Sequence, residues 1–155
     1  MSDTRVSLAA AADTRLKDFR LMSIPSINVD PEAPAGDLGR KMGIEIVEVS
    51  PERSVARMPV EGNTQPYGIL HGGAHLVLAE SLGSMSAHVH AGPGRYAVGI
   101  EISASHSRSV TSGWVTGTCT AISLGRTLTV HEIVMTDDEG NRLSTVRMTN
   151  LLRDA

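Results

Sequence analysis

Aromatic residues are scarce in this sequence, making up 3% of its 155 residues, so a small-molecule pocket must be lined mainly by aliphatic side chains, methionine and main chain. There is one cysteine, Cys119, which excludes an internal disulfide, and no CxxC pair is present for zinc or redox chemistry. This cysteine usage favours a reducing, cytoplasmic setting.

Long hydrophobic runs and an excess of basic residues are also missing. No stretch of about 18 apolar residues occurs, so no transmembrane helix is expected, and the short Ala run near the start is too weakly apolar for a signal peptide. The 14 basic and 17 acidic residues give a formal net charge of −3. That balance argues against a nucleic acid or an anionic membrane as the partner.

The length favours a single domain, which we place at residues 38–155. Residues 1–37 form an N-terminal lead-in, with a helix predicted over 7–22, where apolar residues recur at helical spacing. The proline and glycine residues that follow this helix indicate an irregular connection and not a second domain.

Alternating apolar and polar residues predict strands before and after one long helix, over 72–89. The resulting order is β-β-α-β-β-β-β, an α+β arrangement in which an apolar helix packs on a mostly antiparallel sheet. Short turns between the later strands, including a hairpin turn at 137–141, predict a meander. The predicted strands are 43–50, 52–61, 95–106, 113–124, 126–137 and 142–152.

Glu80 is the one Asp, Glu, Lys or Arg residue between positions 62 and 94, and it falls in the middle of the predicted helix. Apolar residues surround that helix on nearly all sides, which is typical of a buried helix. A lone buried carboxylate costs several kcal/mol unless it is paired or hydrogen-bonded, and such groups are frequent at functional sites. Glu80 is therefore a catalytic candidate, and the alternative is a structural ion pair with Arg108 or Arg126.

The helix opens with His71, Gly72 and Gly73. First-turn amides have no intrahelical acceptor, and glycine lets a ligand approach the main chain, so this end of the helix suits a carbonyl oxygen that gains negative charge. Tight packing is the alternative explanation for the glycines. Ser84 lies four residues after Glu80, on the same helical face, where it either orients the carboxylate or allows close packing.

A metal site is not expected. His71 and His75 are four residues apart, but the HExxH arrangement is absent and His75 lies about 140° from Glu80 around the helix.

The segment QPYGILHGGAHLVLAES, together with the predicted element order, resembles the hotdog-fold thioesterases over residues 38–153. The sequence is most similar to the PaaI-like group and to the Arthrobacter-type 4-hydroxybenzoyl-CoA thioesterases. The resemblance implies hydrolysis of acyl-CoA thioesters without a metal or organic cofactor, coenzyme A being part of the substrate. It also implies a homodimer whose sheets join edge to edge, two dimers forming a homotetramer.

By resemblance, Glu80 is the nucleophile or general base and acts across the dimer interface. The Gly72 amide polarises the thioester carbonyl, and Gln65 assists at the carbonyl or at the attacking water. Ser84 occupies the position of a hydroxyl residue that follows the acid. His71 and Gly73 complete the expected site, the latter in substrate binding.

The resemblance also implies contacts with coenzyme A. Gly125, Arg126 and Thr127 match the CoA-contacting turn, and Arg108 and Arg153 match arginines that meet the CoA phosphates. The presence of Glu80 and Gln65, where many PaaI-like members have Asp and Asn, favours the 4-hydroxybenzoyl-type arrangement. The scarcity of aromatic residues argues against hydroxybenzoyl specificity.

Two other functions are compatible with this fold. One is a non-catalytic acyl-CoA-binding module, and the other is a hotdog dehydratase or hydratase acting on hydroxyacyl thioesters. A DNA-binding extension is not expected, because residues 1–37 carry four basic and six acidic residues.

Overall fold

The computed structural model describes residues 35–155; the predicted helix over 7–22 lies outside this range. The described chain forms two helices and six strands. They are α1 (Gly36–Lys41), β1 (Glu45–Glu48), β2 (Arg53–Pro59), α2 (Gly72–Ala91), β3 (Arg95–His106), β4 (Trp114–Leu124), β5 (Leu128–Thr136) and β6 (Arg142–Asp154). The predicted domain start at residue 38 falls within α1 and stays a prediction.

The six strands form one antiparallel sheet in the order β1-β2-β4-β5-β6-β3. Helix α2 packs against β2 to β6, so the sheet curves around it. The predicted α+β arrangement of one long helix on an antiparallel sheet is therefore confirmed.

The predicted meander is correct only for β4, β5 and β6, because β3 pairs with β6 and not with β4. After β3 the chain remains hydrogen-bonded to β6, because the amides of Ser107 and Arg108 both donate to Leu143 O. It then crosses to the far side of the meander and enters β4 after Gly113, whose φ of 83° suits glycine. The hairpin turn at 137–141 joins β5 to β6 as predicted.

The core lies between α2 and the concave face of the sheet. Leu78 and Leu82 of the helix are fully buried there, against side chains such as Val115, Ile133 and Met148. The helix ends before Gly92, which has a φ of 75°. No helix within residues 35–155 combines the length and the apolar character needed to cross a bilayer.

Burial of α2 on all sides, expected from its apolar composition, is wrong for the described chain. Leu76, Val77 and Ser84 are only half-buried, and Glu80 is exposed. The physical reason is that a sheet covers one side of a helix, and no second layer within residues 35–155 covers the other.

Strand β3 forms one edge of the sheet and is 12 residues long. It exposes apolar side chains, with Val98 41% and Ile100 55% exposed. A long edge strand with apolar residues is usually protected by pairing or covering.

We expect Leu82→Ala to lower the free energy of unfolding by about 2–5 kcal/mol, because the substitution leaves a cavity in the core. Leu38→Ala is the control, since this side chain is 57% exposed and should change stability by no more than about 0.5 kcal/mol. Urea denaturation at one fixed protein concentration measures both. Equal losses for the two variants would contradict the described core.

Candidate active site

The loop before α2 is held in one conformation by main-chain and side-chain hydrogen bonds. Asn63 Nδ2 donates to Met42 O at 2.8 Å and to Pro59 O at 2.9 Å, and His71 N donates to Asn63 O at 2.9 Å. In the same loop, the main chain of half-buried Gln65 is held by two bonds: Gln65 N donates to Ile69 O at 2.8 Å, and Gly68 N donates to Gln65 O at 2.9 Å.

A cavity of about 420 Å³ opens beside the N-terminus of α2. Gln65, Gly72, His75, His106 and Arg108 are among the residues that line it. Since glycine has no side chain, Gly72 contributes only main chain to the cavity wall. The cavity thus joins three predicted site residues (Gln65, Gly72 and Arg108) at the positive end of a helix dipole.

The other two residues of the HGG motif have a capping arrangement. His71 is the N-cap of α2, and its Nδ1 accepts a hydrogen bond from Gly73 N at 2.9 Å. The amide of Ala74 donates to His71 O. Gly73 therefore uses its amide within the cap, which leaves Gly72 as the glycine whose main chain faces the cavity.

Glu80 does not lie in this cavity. It borders a separate cleft of about 160 Å³, together with residues 99–102 of β3 and Met148. A Cβ placed on Gly99 would lie 3.5 Å from Glu80 Oε1, an ordinary contact distance, but only 2.8 Å from Met148 Cε, so this glycine leaves room for the methionine. Within residues 35–155, Glu80 forms no ion pair with Arg108 or Arg126, which removes the structural alternative for the described chain.

Gly72 and Glu80 are eight residues apart, about 12 Å along the helix axis. Half-buried Ser84 lies one turn beyond Glu80 on the same face. A single chain therefore presents Gln65 and Gly72 at one place and the Glu80 carboxylate at another, and both places border β3.

Sequence reasoning did not single out His106. His106, at the end of β3, lies over the helix start, where a Cβ on Gly72 would come within 3.0 Å of its Nε2. Its ring packs on His75, with 5.2 Å between centroids and 34° between planes. The two histidines are distant in sequence, and only the crossing of β3 over the helix brings them together.

His75 is 3% exposed, and its Nδ1 has no hydrogen-bond partner among residues 35–155. Burial, with a smaller contribution from neighbouring His106, lowers the pKa of His75 from 6.5 to about 4. The ring is therefore neutral near pH 7. Within residues 35–155, no three His, Cys, Asp or Glu residues are grouped to hold a metal ion.

The remaining predicted residues lie at the other end of the helix. Arg126 and Thr127 line a cavity of about 410 Å³ with Arg95 and Asp154. Gly125 begins the same turn, between β4 and β5. Arg153 is exposed and precedes Asp154 on β6.

We expect the free energy of unfolding to fall as the pH is lowered from about 6.5 to about 4, because unfolded His75 binds a proton that the folded protein excludes. The slope from this group is at most about 1.4 kcal/mol per pH unit. Its contribution is constant above the unfolded pKa. His75→Leu should lose this part of the pH dependence.

Denaturation curves of both proteins between pH 4 and pH 8 test this expectation. Buried His131, whose pKa is also lowered by burial, is present in both proteins, so its effect cancels in the comparison. Parallel stability curves for the two proteins would contradict the role assigned to His75.

Comparisons with known proteins agree on one family. The family model described as "Thioesterase superfamily" matches residues 67–144. The proofreading thioesterase EntH of Cronobacter turicensis is 42% identical over 130 residues, which cover 83% of this chain and 93% of that protein.

Solved structures agree with the sequence matches. A thioesterase of Haemophilus influenzae has a TM-score of 0.76 at 31% identity, over 86% of this chain and 95% of its own. A variant thioesterase of Pseudomonas aeruginosa has a TM-score of 0.74 at 34% identity, over 86% of this chain and 99% of its own. The predictions of a hotdog fold and of a thioester hydrolase are confirmed at this level, and the chain belongs to the thioesterase superfamily.

Proposed function

We propose that this protein hydrolyses acyl-CoA thioesters at a site shared between two subunits. Gln65 and the Gly72 amide of one subunit bind the carbonyl oxygen, and Glu80 of the partner subunit acts on the carbonyl carbon or on water. The observation that carries the proposal is the cavity at the start of α2, which both Gln65 and the Gly72 main chain line.

The chemistry requires no redox step or cofactor. Water adds across the thioester bond, the C–S bond breaks, and a carboxylic acid and a free thiol leave. The helix-terminal amide stabilises the negative charge that develops on the carbonyl oxygen. Glu80 either attacks the carbon, giving an anhydride that water then cleaves, or removes a proton from the attacking water.

The separation of the two cavities in one chain supports a shared site. Both cavities border β3, an exposed edge strand with apolar side chains. Antiparallel pairing of β3 with its copy around a two-fold axis near Ser103 would bring Ile100 of one subunit opposite His106 of the other. Such pairing would cover the edge and bring Glu80 towards the partner's cavity.

Relatives support the choice of Gln65 and Glu80. Two solved structures of a Staphylococcus aureus relative, each 27% identical to this chain, are alanine variants of a glutamine and of a glutamate. The two altered positions are fifteen residues apart in that protein. Gln65 and Glu80 have the same spacing.

Coenzyme A is the proposed thiol carrier because Arg126 lines the cavity of about 410 Å³ at the far end of α2, beside the ion pair of Arg95 and Asp154. Arg108 adds a second cation at the carbonyl cavity. A thioester on a carrier protein is the second candidate, since the EntH relative is named a proofreading thioesterase.

A panel of thioesters tests the function. Acyl-CoAs of different acyl groups and the same groups on a carrier protein are assayed for release of free thiol. Turnover of acyl-CoA supports the proposal, and preference for carrier-bound substrates favours the second candidate. Binding without thiol release indicates a non-catalytic module, and change in the acyl chain without thiol release indicates a dehydratase or hydratase.

We expect Glu80→Gln to reduce kcat by about 10² or more, because glutamine can neither attack nor accept a proton as the carboxylate does. Glu101→Gln is a matched control, since Glu101 borders the same cleft and faces Arg147 at 4.0 Å. Circular dichroism verifies that both variants are folded. Glu80→Gln activity within a few-fold of wild type would reject Glu80 as the catalytic carboxylate.

A further inference from the structure

The turn between β4 and β5 has each of its three carbonyl oxygens bonded to a donor from a different element. Helix α2, strand β3 and strand β6 supply these donors. The bonds join His90 Nε2 to Gly125 O at 3.0 Å, Arg95 Nη2 to Arg126 O at 2.9 Å, and Leu152 N to Thr127 O at 2.8 Å. Because a carbonyl oxygen only accepts, the Nε2 of His90 must carry a proton.

This arrangement of groups favours the binding of an anion at the turn. The negative ends of the three carbonyl groups are directed at donors within the protein, while Arg95 and Arg126 line the adjoining cavity of about 410 Å³. Asp154 also borders the cavity, but its Oδ1 lies 3.2 Å from Arg95 Nε and is neutralised by that pair. Arg126 thus remains the arginine that an approaching phosphate would meet first.

The turn depends on close main-chain contacts. Gly125 N donates to Leu128 O at 2.9 Å, and a Cβ on Gly125 would lie only 2.7 Å from that same oxygen. Small changes in the path of this turn would therefore move the guanidinium of Arg126 relative to the cavity.

We propose that His90 is a positioning residue for the phosphate-bearing end of coenzyme A, acting through its hydrogen bond to Gly125 O. The proposal rests on the proposed function. His90 lies in the last turn of the helix that also carries Gly72 and Glu80, so it ties the nucleotide end of the site to the element that holds the catalytic groups.

A purely structural role is the competing explanation, because a histidine near a helix C-terminus also interacts favourably with the helix dipole. His88 lies in the same last turn and provides the matched control for that effect. The two explanations differ in what they predict for substrates that lack the nucleotide.

The experiment compares His90→Ala, His90→Gln and His88→Ala on two thioesters of one acyl group. One thioester is the acyl-CoA, and the other is the N-acetylcysteamine thioester, which lacks the nucleotide and its phosphates. For His90→Ala we expect KM for the acyl-CoA to rise about 5–10-fold, which corresponds to the loss of one hydrogen bond. We expect kcat to stay unchanged. The kinetics of the short thioester should be unchanged, and His90→Gln, which retains a donor, should recover part of the loss.

Calorimetric titration with coenzyme A gives a second readout that needs no turnover, and His90→Ala should weaken this binding by the same factor. Equal losses on both thioesters, an equal effect of His88→Ala, or unchanged CoA binding would overturn the role of His90. If no thioester is hydrolysed, the titration alone decides the positioning role, and the failure belongs to the proposed function. If wild-type KM is the same for both thioesters, the nucleotide is not recognised and the proposal fails.

Discussion

The burial of one side of α2 against a curved antiparallel sheet is the constraint on which the rest of the structure depends. The sheet fixes the helix through Leu78 and Leu82, and the helix in turn sets the spacing of the proposed functional groups along its axis. Gly72 lies at its start, Glu80 near its middle and His90 in its last turn. Because the helix is a rigid rod of about 1.5 Å per residue, these three places cannot move independently.

Under the proposed function, the other side of α2 is where a second subunit completes the site. Glu80 is exposed there in a single chain and lies in a cleft apart from the cavity of Gln65 and Gly72. A second subunit paired along β3 would cover the exposed edge and bring the two sets of groups together. Under this account, the same contact protects the sheet and completes the chemistry.

Much of the fold could be predicted because its signals are local. Alternation of apolar and polar residues predicted the strands, and both ends of β3 were predicted correctly. The apolar segment that begins at Gly72 predicted the helix. The pairing of β3 with β6 was missed because strand partners depend on contacts distant in sequence. The exposure of Glu80 was missed because an apolar helix has the same composition whether its own chain or a second chain covers it. The contact of His75 with His106 depends on the same distant crossing of β3, so no local pattern could indicate it.

The most direct test of the shared site is the activity of hybrid dimers. Glu80→Gln and Gln65→Ala proteins are each shown to be folded and dimeric, then mixed, and subunit exchange is verified with a tag on one chain. A shared site predicts that each hybrid contains one site with both defects and one with neither, restoring up to about half of wild-type activity per dimer. Confirmed hybrids that stay at the average of the two inactive parents would contradict the account, because each site would then be built within one chain.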